Sequence, residues 1–214
     1  MLEQLPADVV QRVIDVSRRH TYAAGEIVFH EDDPGDSMHV IERGRVAVLV
    51  NNAEGKQLTF RVMGAGDLVG ELSLLLPGGR RSATVQALEP TVTLAIGRRE
   101  FDQLRREHPH VSELLLRLLT LHVLRLSDRL REMLYLPVEA RIRRRLLEMA
   151  EAYGGAKAGT VVPLRQEDLA SLSGAARATV NRVLRQDAAA RIVALERRRV
   201  TILDPDRLRR RAAR

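Results

Sequence analysis

The 214-residue chain contains no cysteine and no tryptophan, and aromatic residues make up only 3% of it. Without a thiol there can be no disulfide framework, no thiolate-bound zinc or iron–sulfur cluster and no cysteine nucleophile. The same lack fits a reducing cytoplasm. With so few rings, aliphatic side chains must fill the core, and a hydrophobic content of 45% is enough to build one. The most apolar stretch, LLLRLLTLHVLRL, is broken by arginines and too short to cross a bilayer. The segment MLEQLPADVVQRVIDVSRRH puts acids and a proline where a secretion signal needs a basic start and an apolar middle. A cytoplasmic protein with no membrane partner is expected. No nucleophile–base pair, metal cluster or Walker loop stands out, so no catalytic residue is assigned and an enzyme is not expected. The six histidines are scattered. His108 and His110 come nearest to a pair, but they flank a proline at a helix start, so all six are read as structural or surface residues, with no metal and no haem.

Acidic residues are scarce in the last third. Residues 1–136 carry 17 Lys and Arg against 19 Asp and Glu, whereas residues 137–214 carry 18 against 9. The net charge of +7 is therefore the difference between a near-neutral part and a part at +9, which suggests a polyanionic partner for the C-terminal segment or a solvated charged surface. The pattern of apolar residues changes at the same place. Asp8 to His20 reads as an amphipathic helix with Val9, Val10, Val13, Ile14 and Val16 on one side. From Thr21 to Ile96 the period is two. The β-rich runs EIVFHEDD, SMHVIERG, RVAVLVNN, KQLTFRVM and TVTLAIG are separated by the turn signals DDPGDS, ERGR, NAEGK, GAGD and PGGR, which predicts a compact barrel or sandwich-like sheet.

Helical periodicity takes over from Arg99 to about Tyr135. Leu116, Leu119, Val123, Leu126, Leu130 and Met133 form a heptad seam, and Leu114, Leu115, Leu118, Leu121 and Leu124 a second apolar side. The second side is assigned to the β-rich module and the seam to another copy of the same helix, which makes the protein a homodimer. A single helix buried within its own chain is the alternative. Pro137 stops this helix and suits the first position of the next, so the boundary between two domains, 1–136 and 137–214, is placed at Leu136–Pro137. Beyond it the sequence reads as helix, loop, helix, turn, helix and a two-stranded wing.

Residues 70–87, GELSLLLPGGRRSATVQA, combine glycines that let backbone N–H groups approach an anion, an arginine whose planar fork matches phosphate, and a serine hydroxyl. Glu71 would repel a fully charged phosphate but accepts well from a ribose hydroxyl. The set suits a nucleotide with one delocalised negative charge. This stretch resembles the phosphate-binding cassette of the cyclic AMP receptor protein / fumarate–nitrate regulator family of bacterial transcription factors. The resemblance covers nearly the whole chain and implies an α+β fold: an N-terminal cyclic-nucleotide-binding β-roll of jelly-roll type, a long dimerisation helix at about 99–135 and a C-terminal winged helix-turn-helix. It implies further that Gly70, Glu71, Leu72, Arg81 and Ser82 hold the phosphate and ribose of a cyclic nucleotide, with cyclic AMP the favoured effector. Members that respond to cyclic AMP meet the adenine with a Thr-Ser pair on the long helix. The matching residues here are Leu126 and Ser127, which leaves Ser127 as the polar candidate.

Within QEDLASLSGAARATVNRVL, Ser173–Ala175 forms the turn between two helices, and the second helix is expected from about Ala176 to Gln186. Such a helix enters the major groove. Arg177, Asn181 and Arg182 are the candidates for base edges, since Arg suits guanine and Asn adenine, and Arg165, Gln166 and Thr179 for phosphates. The family's Ser-Arg-Glu-Thr-Val reads Ala176-Arg177-Ala178-Thr179-Val180 here, and Arg165 stands where a Thr is common, so the resemblance carries the docking mode and not the operator sequence. Arg197–Arg199 and Arg207–Arg211 add basic runs that face phosphate or solvent. The expected function is a homodimeric transcription regulator, activator or repressor, gated allosterically by a cyclic nucleotide, that binds a palindromic double-stranded DNA site and meets RNA polymerase. A constitutive DNA binder of the same fold, or a nucleotide-sensing regulatory subunit docked on an acidic protein, are the other readings.

Overall fold

Among the described residues, the period-two region is realised as eight strands in two four-stranded sheets. The computed structural model describes residues 6–51 and 57–213; the turn read from Asn52 to Lys56 lies outside the described residues. These fall into two compact units, one formed by residues up to 57 together with 61–124, the other by 58–60 and the residues from 125 onward.

In the first unit, α1 (Ala7–Val16) leads into β1 (Arg18–Tyr22), β2 (Ile27–Phe29), β3 (Ser37–Arg43), β4 (Arg45–Asn51), β5 (Gln57–Gly64), β6 (Leu68–Val69), α2 (Glu71–Leu75), β7 (Thr84–Ala87) and β8 (Thr91–Gly97). One sheet has the order β1-β8-β3-β6 and the other β2-β7-β4-β5. β3 shows why the strand forms: Met38, Val40 and Ile41 are all buried, and alternation sends Met38 and Val40 to one face and Ile41 to the other. Ile41 and Val69 of the first sheet meet Val46, Met63 and Val85 of the second in one apolar cluster. On the outer face of the first sheet, Met38, Val40, Leu94 and Ile96 pack with Val9 and Val13 of α1, with Phe101 and Leu104 of α3 (Arg98–Glu107) and with Val111 and Leu115 of α4 (Pro109–Tyr135). Each such side chain contributes roughly 1.5–3 kcal/mol when fully buried.

Three sequence expectations are corrected. The first helix ends at Val16, where Ser17 donates from both its N–H and its hydroxyl to the Ile14 carbonyl. His20 therefore lies in β1, paired with Thr93. The stretch from Arg99 is two helices, because His108, at φ −128° and ψ 92°, precedes Pro109; a proline ring disfavours helical backbone in the residue before it. Along α4, Leu114, Leu115 and Leu118 do pack on the sheet cluster, but Leu121 and Leu124 are exposed.

In the second unit, α5 (Val138–Ala152) opens with Pro137 at its N-cap. It is followed by β9 (Val161–Val162), α6 (Gln166–Ser173), α7 (Arg177–Ala189), β10 (Val193–Glu196), β11 (Arg199–Ile202) and α8 (Pro205–Ala212). The strands form one antiparallel sheet in the order β10-β11-β9. The run Arg207–Arg211 is not a free basic tail. It lies in α8, capped by the Asp204 carboxylate accepting from the Arg207 N–H and anchored by buried Leu208 and Ala212.

Candidate functional site

Two groups of residues carry chemistry, one in each unit. In the first, β6 runs into Gly70, which sits at φ +83° as the N-cap of α2. A Cβ there would stand 2.4 Å from Arg81 Nη1, so the missing side chain is what lets the arginine lie against this turn. Arg81 is only 4% exposed. Its Nη1 donates to the Ser37 carbonyl, to the Gly70 carbonyl at 3.2 Å and to Ser73 Oγ at 3.1 Å, and Nη2 donates to Ser37 Oγ at 2.9 Å. The guanidinium lies over the Phe29 ring, 4.1 Å from its centre. Its sole carboxylate contact among the described residues is Asp36 at 3.5 Å, and Asp36 is largely exposed. Burial lowers the Arg81 pKa, and Nε is buried without a hydrogen-bond partner among the described residues. A buried cation whose counter-ion is solvent-exposed, together with an orphaned donor, fits a singly charged cyclic phosphate.

Glu71, the first residue of α2, is 6% exposed, and burial raises its carboxyl pKa. His122 of α4 places Nδ1 3.9 Å from Glu71 Oε1, while its Nε2 is 2.9 Å from Arg61 Nη1. Because an arginine can only donate, Nε2 accepts and the proton sits on Nδ1, facing the carboxylate. Leu72 and Ser82 are exposed beside these residues, and Leu126 and Ser127 are exposed on α4. Sequence reasoning gave Ser37, Ser73, Phe29 and Asp36 no role and read His122 as structural or surface. Ser73 lies inside the 70–87 stretch but carries no role in that reading; Phe29, Asp36, Ser37 and His122 meet Arg81 or Glu71 across large separations, and for these only DDPGDS, read as a turn, touches the right place. His39 is buried behind this group, its Nδ1 3.1 Å from Thr93 Oγ1, and burial, reinforced by Arg81, lowers its pKa to about 4.

In the second unit, Val180, Val183, Leu184 and Asp187 are buried along one side of α7, which turns Arg177, Ala178, Arg182 and Arg185 outward. Gly174, at φ +61°, makes the turn from α6, and Ala176 caps α7 without a side-chain bond. The α7 helix runs to Ala189, three residues beyond the expected end. Fully buried Asp187 accepts from Arg143 Nε at 2.8 Å, Arg143 Nη2 at 3.2 Å and Arg211 Nη1 at 2.6 Å, fixing α7 to α5 and α8. Gln166 and Thr179 are half-buried, and the exposed Arg165 donates to Asp168 from its backbone N–H, Nε and Nη2. The wing turn holds Arg198 at φ +62° between β10 and β11. A basic helix lying proud of a rigid three-helix base is the arrangement that reaches a DNA groove.

Each unit contains a match to a known domain family. The cyclic nucleotide-binding domain family matches residues 19–108, and the Crp-like helix-turn-helix domain family matches residues 140–211. The chain is similar to the CRP-like cAMP-activated global transcriptional regulator of Mycobacterium tuberculosis, with 33% identity over 202 residues, 93% of this chain and 87% of that protein. It is similar to the cAMP-activated global transcriptional regulator CRP of Salmonella typhimurium, with 29% identity over 171 residues, 78% of this chain and 80% of that one. Among solved structures, the c-di-GMP responsive global regulator CLP of Xanthomonas campestris shares the fold with a TM-score of 0.80 and 21% identity, over 92% of this chain and 99% of that one.

Proposed function

The chain belongs to the CRP/FNR family of transcription regulators, with a cyclic nucleotide-binding domain and a helix-turn-helix DNA-binding domain, and we propose that it is a homodimer whose grip on DNA is set by a cyclic nucleotide, cyclic AMP first among them. The observation that carries this reading is Arg81, a 4%-exposed guanidinium held against Gly70 whose one carboxylate contact among the described residues, Asp36 at 3.5 Å, is itself largely exposed. Gly70 and Arg81 would receive the phosphate, with Ser82 alongside, and Glu71 the ribose hydroxyl; Leu72 lines the same turn. The regulator named for Mycobacterium tuberculosis is activated by cAMP, which supports the choice of effector, and relatives named as regulators support a binding protein over an enzyme.

The dimer is supported by α4. Leu116, Val123, Leu126, Leu130 and Met133 are 55–66% exposed, with Leu119 half-buried between them, and a facing copy would cover this seam. The two domains would divide at Leu136–Pro137. Two α7 helices would then present Arg177, Asn181 and Arg182 to a palindromic site, about 34 Å apart, with Arg165, Gln166 and Thr179 toward phosphates and RNA polymerase as the downstream partner. Ser127 remains the polar candidate for the base.

Calorimetric titration of cyclic AMP into the unaltered protein and into Arg81→Ala tests the reading, with DNA binding measured in the presence and absence of nucleotide. Saturable heat lost in the variant, together with tighter DNA binding when nucleotide is present, is the expected result. A constitutive DNA binder is the second reading, favoured by the four donor contacts Arg81 already makes to Ser37, Gly70 and Ser73. It predicts no heat from cyclic AMP, cyclic GMP or cyclic di-GMP and DNA binding without any of them.

A further inference from the structure

The side chains that α7 offers to a DNA groove do not stand free. Arg177 Nη1 donates to Glu167 Oε1 at 3.0 Å, Asn181 Nδ2 to Gln166 Oε1 at 2.9 Å and Arg182 Nη2 to Glu139 Oε1 at 2.8 Å. Two of the three braces are carboxylates. On the reading face of a basic unit a carboxylate works against binding, because it cancels a cation that would otherwise displace counter-ions from phosphate. The carboxylates come from two different helices, Glu167 from the first turn of α6 and Glu139 from the first turn of α5. Glu139 is itself fixed: the hydrogen bond from Arg182, and then its own backbone N–H at the helix start, hold its carboxyl below the usual range. It is therefore charged at neutral pH, and its orientation is set by α5.

A guanidinium carries five N–H donors in a planar fork. Each of these contacts to a carboxylate uses a single nitrogen and leaves the rest of the fork able to take the O6 and N7 acceptors of a guanine. Both arginines are otherwise more than half exposed, so without the carboxylate each would sample many rotamers and meet phosphates anywhere. Resting on the reading of α7 as the helix that enters DNA, the geometry points to Glu139 and Glu167 as positioning residues that determine sequence specificity. Each aims one arginine of α7 at a base edge and withholds its charge from non-specific phosphate contact.

The experiment uses the full chain. Duplexes are selected from a random-sequence library with the unaltered protein. Affinities for one selected duplex and for its scrambled counterpart are then measured by fluorescence anisotropy at fixed salt. Glu139→Ala and Glu167→Ala are expected to bind the scrambled duplex about threefold tighter, since one opposing charge is gone. They should lose about tenfold in preference for the selected duplex, since the aimed fork is gone. Glu139→Gln and Glu167→Gln keep an oxygen acceptor without the charge, so they should tighten the scrambled duplex as the alanines do yet retain most of the preference. If the alanine variants tighten both duplexes by the same factor, the carboxylates only tune charge and the inference is overturned. If the unaltered chain, with and without cyclic nucleotide, enriches no duplex at all, the DNA-reading function fails first and takes this inference with it.

Discussion

Gly70→Ala tests the candidate nucleotide site at its tightest point. The backbone there is left-handed, at φ +83°, and an added Cβ costs about 1–2 kcal/mol in that conformation. The new methyl would also stand 2.4 Å from Arg81 Nη1, 3.2 Å from the Ser37 carbonyl and 3.3 Å from Phe29 Cε1. The arginine must give way, and at 4% exposure it has no water to replace what it loses. Losing one charge-assisted hydrogen bond costs about 1.5–3 kcal/mol. The two effects together amount to about 3 kcal/mol, which lowers the melting temperature by about 10 °C in a chain of this size. The displaced fork should weaken cyclic AMP binding by at least about tenfold. Gly78→Ala is the control: φ there is +62° but nothing lies within 4 Å of the added Cβ, so it should cost about 1 kcal/mol of stability and leave nucleotide affinity unchanged. Differential scanning calorimetry and isothermal titration of both variants decide the matter. Nucleotide binding by Gly70→Ala within twofold of the unaltered protein, or equal losses in the two variants, would refute the reasoning.

Glu71→Gln should separate stability from function. Burial raises the Glu71 pKa, so the folded state favours the protonated form and loses stability as pH rises through that raised value. The amide should therefore melt higher at neutral pH while binding cyclic AMP more weakly and its 2′-deoxy analogue no worse than the unaltered protein does; lower melting and unchanged binding would contradict both halves. His39 acts in the opposite sense. Its folded pKa of about 4 lies below the ordinary 6.5, so the unfolded chain takes up the proton first and stability falls as pH drops between those values, by on the order of 3 kcal/mol in all. Acid melting curves of His39→Gln should be flatter than those of the unaltered protein over that window. Asp187→Ala leaves the buried Arg143 without its carboxylate and should cost about 3–5 kcal/mol, read as early melting of the second unit; a loss below about 1 kcal/mol would mean Arg143 finds another partner.

The parts of the molecule legible in the sequence are those whose signal is local. Period-two alternation marked β3, β4 and β8, the seam marked the exposed side of α4, and Gly-Glu followed by Arg-Ser marked the turn that places Arg81 against Gly70. Other parts depend on distant partners. β6 and β9 are two residues long and too short to show a period; they exist because β3 and β11 offer hydrogen bonds. The cradle of Arg81 is assembled from Ser37, Ser73 and Phe29, none within seven residues of it, and no spacing rule joins them. The His108–Pro109 break was legible in principle, since the residue before proline resists helix, but the apolar period continues across it and outweighed the proline. In α8, the Asp204–Pro205 start was an ordinary helix signal overshadowed by the arginines that follow. Their role as ties to Asp187 and to the Ala156 and Ala190 carbonyls depends on the folded domain.

The candidate site divides according to where its residues come from. Among the described residues, the groups that hydrogen-bond to or stack on the Arg81 guanidinium belong to β2, β3, the Gly70 turn and α2, so the proposed phosphate end would be formed within one chain. The base end is different. Leu126 and Ser127 stand exposed on α4, and Leu126 is also a seam residue, so in the proposed dimer the surface proposed to meet the base would also be part of the surface that meets the partner. Leu offers a base no hydrogen bond, and one neutral hydrogen bond is worth on the order of 1 kcal/mol, so discrimination among cyclic nucleotides should be weak and fall to Ser127. It follows that Leu126→Thr should move two quantities at once, sharpening the choice of nucleotide while loosening the dimer, whereas Ser82→Ala should lower affinity for every cyclic nucleotide alike and leave the dimer untouched. Sedimentation and nucleotide competition on the same two variants would show whether selectivity and assembly are properties of one helix face.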